Sequence, residues 1–280
     1  MITDFSDTTA VITGGASGIG LAMARKFAAE GSSLVLADIE PDALDAAVAE
    51  FEAAGTPVLG VITDVSDQAS VEALRDAAIE RFGSVEILCN NAGVGLGGPL
   101  LDDDPDYVAK FQWTMDVNLT GVLYGIRAFV PGMIEQDTPG HVVNTASMAG
   151  LVSAGLGAYT VSKFGCVSMS ELLAIELGRT KVGVSVLCPE FVRTRIHESH
   201  RNAPTELAGQ ERVDPKAAEI MKAFVEGGID PADVADAVHD AVVNDRFAIL
   251  THEISPRAVV ARAEALAAGE LFNPTGGFGS

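Results

Sequence analysis

The ten residues VITGGASGIG (11–20) close a short apolar run and open a helical period, setting Gly14, Gly18 and Gly20 in a G-x-x-x-G-x-G spacing. Glycine lets a turn take positive φ and lets backbone approach a ligand where a Cβ would stand in the way. A diphosphate lying in such a turn meets the N–H groups and the positive dipole end of the helix that follows. Tight strand-to-helix turns also use glycine for steric reasons alone, so the meaning of 11–20 rests on the chain around it.

On both sides of that turn, short apolar runs alternate with longer stretches of helical period. TAVIT (9–13), SLVLAD (33–38), PVLGVITD (57–64), VEILCNNAG (85–93), GHVVNTAS (140–147), VGVSVLCPE (182–190) and RFAILT (246–251) read as strands. The segments 18–30, 41–54, 67–82, 105–136, 158–179, a stretch from about 231, and 256–268 read as helices. Strands apolar on both faces and separated by helices imply βαβ units. The expected fold is therefore α/β and doubly wound, with a parallel sheet of about seven strands covered on both sides. Ser66 and Asp67 are candidate caps for the third helix, and Pro41 and Pro231 sit at first-turn positions beside Glu40 and Asp230. No linker or repeat divides the chain. Residues 1–268 are expected to form a single Rossmann domain, with a polar lid over 195–225 and a Gly-rich tail over 269–280.

Eighteen Lys and Arg against 39 Asp and Glu leave a formal charge of −21. That charge repels phosphate backbones and anionic lipid, which argues against nucleic acid and membrane partners. The start lacks a basic flank with a long apolar segment, and no run reaches the roughly 18 apolar residues of a spanning helix, so a cytoplasmic location is expected. Cys89, Cys166 and Cys188 lie in apolar sequence without metal-ligand spacing and read as buried small hydrophobes. HESH (197–200) sets His197 and His200 three apart where the zinc-protease pattern needs four, so no metal site is expected.

The second strand ends in LADIE, which puts Asp38 eighteen residues after Gly20. This is close to the offset of a carboxylate that accepts hydrogen bonds from the adenosine ribose hydroxyls of a dinucleotide. Such a carboxylate repels a 2′-phosphate. The positions that could neutralise one hold Ser17, just before Gly18, and Ile39, just after Asp38. NAD is the expected cofactor, with Gly14, Ser17, Gly18, Ile19 and Gly20 along its diphosphate. Further on, GAYTVSKFG (157–165) places Tyr159 and Lys163 at i,i+4 on one helix face. A free phenol has a pKa of about 10, and a neighbouring ammonium favours its ionised form, making Tyr159 a workable acid/base. Ser147 lies at the carboxyl end of a strand, the crevice edge where open α/β sheets bind ligands, and its hydroxyl could hold a substrate oxygen.

Taken in order, TGGASGIG (13–20), Asp64 with Val65, NNAG (90–93), Asn118, Ser147 and YTVSK (159–163) resemble the short-chain dehydrogenase/reductases in their single-domain form, over nearly the whole chain. The resemblance implies that Asp64 and Val65 hold the adenine ring and that Asn91, Ala92 and Gly93 support the sheet beside the cofactor. It implies that Tyr159 exchanges the proton with substrate, Ser147 stabilises the substrate oxygen, Lys163 also binds the nicotinamide ribose, and Asn118 helps position a proton-relay water. CPEFVRT (188–194) keeps the family's Pro189, Val192 and Thr194 at the nicotinamide but has Glu190 where glycine is usual. Glu190 either contacts substrate or points to solvent. A homotetramer or homodimer built on 105–136 and 158–179 is the family expectation, and Tyr107 and Tyr124 read as structural or interfacial.

Leu96, Met148, Glu190 and Phe191 are the candidate substrate residues, with Leu151 and Ile196 adding apolar surface. A hydrophobic or aromatic secondary alcohol or ketone is expected, oxidised by NAD. NTASMAGL with RIHESHRN resembles a subgroup that includes aryl-alcohol dehydrogenases. The alternatives are a non-catalytic NAD-binding regulator, an NADPH-dependent carbonyl or 3-oxoacyl reductase, and a sugar-nucleotide epimerase or dehydratase. The last needs a larger C-terminal domain than the roughly 90 residues after the sixth strand.

Overall fold

A computed structural model describes residues 1–95, 98–153, 155–207 and 215–272. The strands are β1 (Thr9–Thr13), β2 (Ser33–Asp38), β3 (Val58–Ile62), β4 (Ile87–Asn90), β5 (Gly140–Thr145), β6 (Val182–Cys188) and β7 (Ala248–Leu250). They form one parallel sheet in the order β3-β2-β1-β4-β5-β6-β7. The direction of winding reverses between β1 and β4. The carboxyl ends of these two strands therefore border the crevice in which such sheets bind ligands.

The helices are α1 (Gly18–Ala29), α2 (Pro41–Ala53), α3 (Gln68–Phe82), α4 (Tyr107–Met115), α5 (Gly121–Glu135), α6 (Ala158–Leu177), α7 (Pro215–Glu226), α8 (Pro231–Asn244) and α9 (Ser255–Ala267). Successive strand residues feed opposite layers, as the two-residue period of a strand requires. Ala10 and Ile12 pack with Met23 and Phe27 of α1, Leu44 of α2 and Val238 of α8. Val11 between them packs with Leu74 of α3, Phe129 of α5 and Cys166 of α6. The three cysteines are free and buried, and burial pushes the Cys188 thiol up to about 12.

Three local readings are corrected. The stretch 105–136 is not one regular α-helix, because a π segment, Asp116–Thr120, separates α4 from α5. The polar stretch after β6 holds a 3₁₀ segment, Ile196–Asn202, and α7. Ile220 and Phe224 of α7 are exposed, so its apolar residues do not form a core-facing stripe. Of the two candidate caps, Asp67 accepts from the Ala69 N–H, whereas Ser66 turns its hydroxyl to Asp64. Beside the first-turn prolines, Asp230 accepts from the Ala232 N–H and Glu40 pairs with Arg201. The continuous helix Tyr107–Glu135 is long and apolar enough to cross a bilayer, but Val122, Ile126, Phe129 and Met133 bury its apolar face against the sheet, making it a core helix.

His141 of β5 is 1% exposed. Ser185 Oγ donates to the Arg246 carbonyl, so it accepts from His141 Nε2 at 2.7 Å, leaving His141 Nδ1 as a buried lone pair without a hydrogen-bond partner. Burial lowers the imidazole pKa to about 4, against the smaller opposing pull of Asp245. As pH falls from about 6.5 towards 4, the unfolded chain binds a proton that the folded chain refuses. Stability contributed by the neutral ring is thus full above about pH 6.5 and is lost by an amount on the order of 2–3 kcal/mol as pH approaches 4. Urea titrations at several pH values are expected to show a steeper acid loss of stability for the wild-type chain than for His141→Gln. Parallel curves would refute this assignment.

Candidate active site

The turn after β1 has Gly14 at φ 62° and Gly18 at φ 52°, where a side chain would be strained. Gly20 is required by contact: a Cβ there would lie 2.1 Å from the Gly14 carbonyl oxygen. Ser17 makes no side-chain cap hydrogen bond, so the first turn of α1 keeps its N–H groups open. Ser17 and Gly18 line a cleft of about 320 Å³ together with Arg193, Thr194, Arg195 and Glu226. An uncapped helix start and a glycine backbone fit a dinucleotide diphosphate, while the Arg193 and Arg195 guanidinium groups at the cleft are paired with Asp230 and Glu198.

Asp38 ends β2, where its carboxylate accepts from the Ala16 and Glu40 N–H groups, both at 3.1 Å. Burial raises its pKa above the usual carboxylate range, and those N–H bonds oppose the shift. Asp64 accepts from the N–H and hydroxyl of Ser66 at 2.9 and 2.6 Å, and Val65 lies against Gly121. Two residues past Asp38, Glu40 is paired with a cation that the reading of Ser17 and Ile39 did not cover. Arg201, 161 positions beyond Glu40, donates to the Glu40 carboxylate at 2.7 and 2.9 Å and holds it below its usual pKa range. Contacts of such sequence separation leave no local pattern to read.

Lys163 and Tyr159 share the first turns of α6. The Lys163 ammonium is buried, donates to the Thr145 carbonyl at 2.9 Å and lies 5.6 Å from the Tyr159 ring centroid. A Cβ on Gly93 would sit 3.4 Å from this nitrogen and 3.2 Å from Asn118 Oδ1, so Gly93, Asn118 and Lys163 converge. The Asn118 amide is bidentate to the Val94 backbone, accepting at 2.8 Å and donating at 2.9 Å. It also donates to Ser162 Oγ at 3.2 Å. Asn118 lies within the π segment, a helix irregularity frequent at functional sites. Ser147 caps the short turn Met148–Gly150, and a Cβ on Gly150 would lie 2.4 Å from the Lys163 carbonyl, so this turn rests directly on α6.

Beyond β6, the Pro189 carbonyl accepts from the Ser147 hydroxyl at 3.4 Å and the Met148 N–H at 2.9 Å. Thr194 lies against Gly18, and Val192 is buried in an isolated bridge to Ile229. Glu190 accepts from Ser255 Oγ at 2.6 Å, a partnership with α9 that neither reading of this residue anticipated. Phe191 stacks on Phe224 with ring centroids 4.9 Å apart. Met148 packs partly buried against the core. Leu96 lies outside the described residues, as do 208–214 of the lid and 273–280 of the tail.

A family model for short chain dehydrogenases matches residues 8–205. The chain belongs to the short-chain dehydrogenase/reductase family. A solved family member from Burkholderia phymatum, in complex with NAD, is 40% identical with a TM-score of 0.92, the match covering 98% of this chain and 99% of that one. The 1-deoxy-11-beta-hydroxypentalenate dehydrogenase of Streptomyces avermitilis is 37% identical over 248 residues, 88% of this chain and 84% of its own. The C alpha-dehydrogenase of a Sphingobium species is 32% identical over 252 residues, 89% of this chain and 82% of its own.

In this short-chain dehydrogenase/reductase, Thr13 is a site residue that motif reading passes over as the first letter of TGGASGIG. Its hydroxyl accepts from the N–H groups of Asn91 and Ala92 at 2.9 and 3.0 Å, and the Asn91 amide donates back to the Thr13 carbonyl at 3.0 Å. Thr13→Val leaves two N–H groups without their acceptor, at a cost of about 2–4 kcal/mol. Thr13→Ser keeps the oxygen and is expected to stay within about 1 kcal/mol of wild type. Denaturant titration of both variants decides the point, and equal stabilities would remove the hydroxyl from the account.

Proposed function

We propose that this dehydrogenase interconverts a secondary alcohol and a ketone with NAD(H), and that Tyr159 is the acid/base. The observation that carries the reading is the buried ammonium of Lys163 beside the Tyr159 ring, tied to Thr145 two residues before Ser147. Asp38 faces the adenosine side with a buried carboxylate, and the Burkholderia phymatum relative was solved with NAD. Two relatives carry dehydrogenase names, one of them for a hydroxypentalenate.

Within this reading, Lys163 uses one of its three N–H donors on Thr145, leaving two for the nicotinamide ribose and for the electrostatics of the phenol. Tyr159 takes the alcohol proton in oxidation and returns it in reduction. The Ser147 hydroxyl, whose single proton meets the Pro189 carbonyl only at 3.4 Å, turns that proton to the substrate oxygen when substrate is bound and so orients it. Asn118 fixes the Val94 backbone beside this cluster. When bound, the nicotinamide ring supplies the two-electron hydride acceptor. Apolar surface from the Phe191–Phe224 pair, Met148 and Ile196 favours a hydrophobic or aromatic substrate. Exposed Val108 and Leu123 on α4–α5 and Val161, Leu172 and Ile175 on α6 support assembly with further copies of this chain in the cytoplasm.

A panel of apolar secondary alcohols, assayed with NAD and NADP by absorbance of the reduced cofactor, is expected to show turnover with NAD preferred. Tyr159→Phe should lower kcat by about 10²–10⁴-fold while NADH still binds. Substantial turnover by that variant would falsify the proton-transfer role, and a preference for NADP would overturn the reading of Asp38.

A further inference from the structure

The segment Ile196–Asn202 crosses the crevice mouth and is pinned at both walls. On the β4 side, the Gly95 N–H donates to Ser199 Oγ at 2.9 Å, and a Cβ on Gly95 would lie 3.1 Å from the Ile196 carbonyl. On the β2 side, one Glu40 oxygen accepts from Arg201 Nη2 at 2.7 Å, Arg201 Nε at 2.9 Å and Asn202 Nδ2 at 3.0 Å. β1 lies between β2 and β4, so a strap joining these walls passes over the glycine turn at the end of β1. Just before the strap, Thr194 touches that turn at Gly18.

Arg201 acts as the rivet. While two of its nitrogens grip Glu40, its Nη1 donates to the carbonyls of Arg195 and Glu198 at 3.2 and 3.0 Å, so the same guanidinium holds the strap in shape and ties it to the wall. Glu40 stands two residues after Asp38, whose carboxylate accepts the Glu40 N–H. The side chains of Arg201 and Glu40 are 24% and 26% exposed, a setting in which water can compete for the pair without dissolving it.

We propose that Glu40 and Arg201 are positioning residues that form a clasp over the dinucleotide and set how fast it leaves. A dinucleotide lying between Asp38 and Lys163 runs beneath the strap, so its release requires the clasp to open. The inference rests on the NAD(H) reading of the site, and it assigns this pair a task distinct from the contacts that bind the cofactor.

The test is stopped-flow fluorescence of bound NADH chased with excess NAD, on the full chain and without substrate. Glu40→Gln and Arg201→Ala are each expected to speed NADH release by about tenfold, and the double variant by much less than the product of the two, because the Glu40–Arg201 pair is lost in all three. The charge exchange Glu40→Arg with Arg201→Glu restores the pair but not the bonds to the Arg195 and Glu198 carbonyls, so it should release NADH more slowly than either single variant and faster than wild type. Wild-type release rates in both single variants, or multiplied effects in the double variant, would defeat the clasp. Failure of NADH to bind the wild-type chain would instead defeat the NAD(H) reading beneath it.

Discussion

The site depends on one seam, the junction of β1 and β4 at the crevice. Parallel neighbours normally satisfy each other's backbone groups through the ladder, but here both chains leave the sheet and turn away, so the N–H groups of Asn91 and Ala92 need another acceptor. Thr13 Oγ supplies it for both, and Asn91 returns its amide to the Thr13 carbonyl. This exchange fixes where the glycine turn begins and where Gly93 ends up. Gly93 in turn borders Asn118 and Lys163, so the glycine turn and the Lys163 end of the crevice share one anchor.

Burying an ammonium is the costliest element of this arrangement, and its surroundings show how the cost is met. Lys163 has a neutral carbonyl, not a carboxylate, as its hydrogen-bonded partner. A carboxylate would neutralise the cation, whereas a carbonyl leaves its field available to the phenol ring beside it.

The fold and the pairing of Tyr159 with Lys163 are legible because their signals are local or periodic. Strands apolar on both faces betray the covered sheet, and Tyr159 and Lys163 are joined by helix spacing alone. Legibility stops where structure depends on distant partners or on a change of helical period. The π segment around Asn118 carries no compositional mark. Glu40 reads as a first-turn charge until Arg201 arrives from far down the chain. α7 escapes notice for a different reason, since Ile220 and Phe224 face outward and only Val225 is firmly buried among its described side chains.

Glu190 shows how a departure from a family pattern can be structural and still bear on the site. α9 has no acidic residue in its first turn, so the Glu190 carboxylate, arriving from β6 and accepting from the buried Ser255 hydroxyl, supplies the negative charge that a helix start favours. Glycine at 190 could not reach α9. Further along α9, Arg262 stacks over Phe164, the residue after Lys163, with its guanidinium 4.9 Å from the ring centroid. The helix is thereby tied to α6 beside Lys163, and to the chain beside Pro189, whose carbonyl accepts from Ser147. Glu190 thus has a buried structural partner in α9, and that is a reason for a charged side chain to stand where a small one is usual.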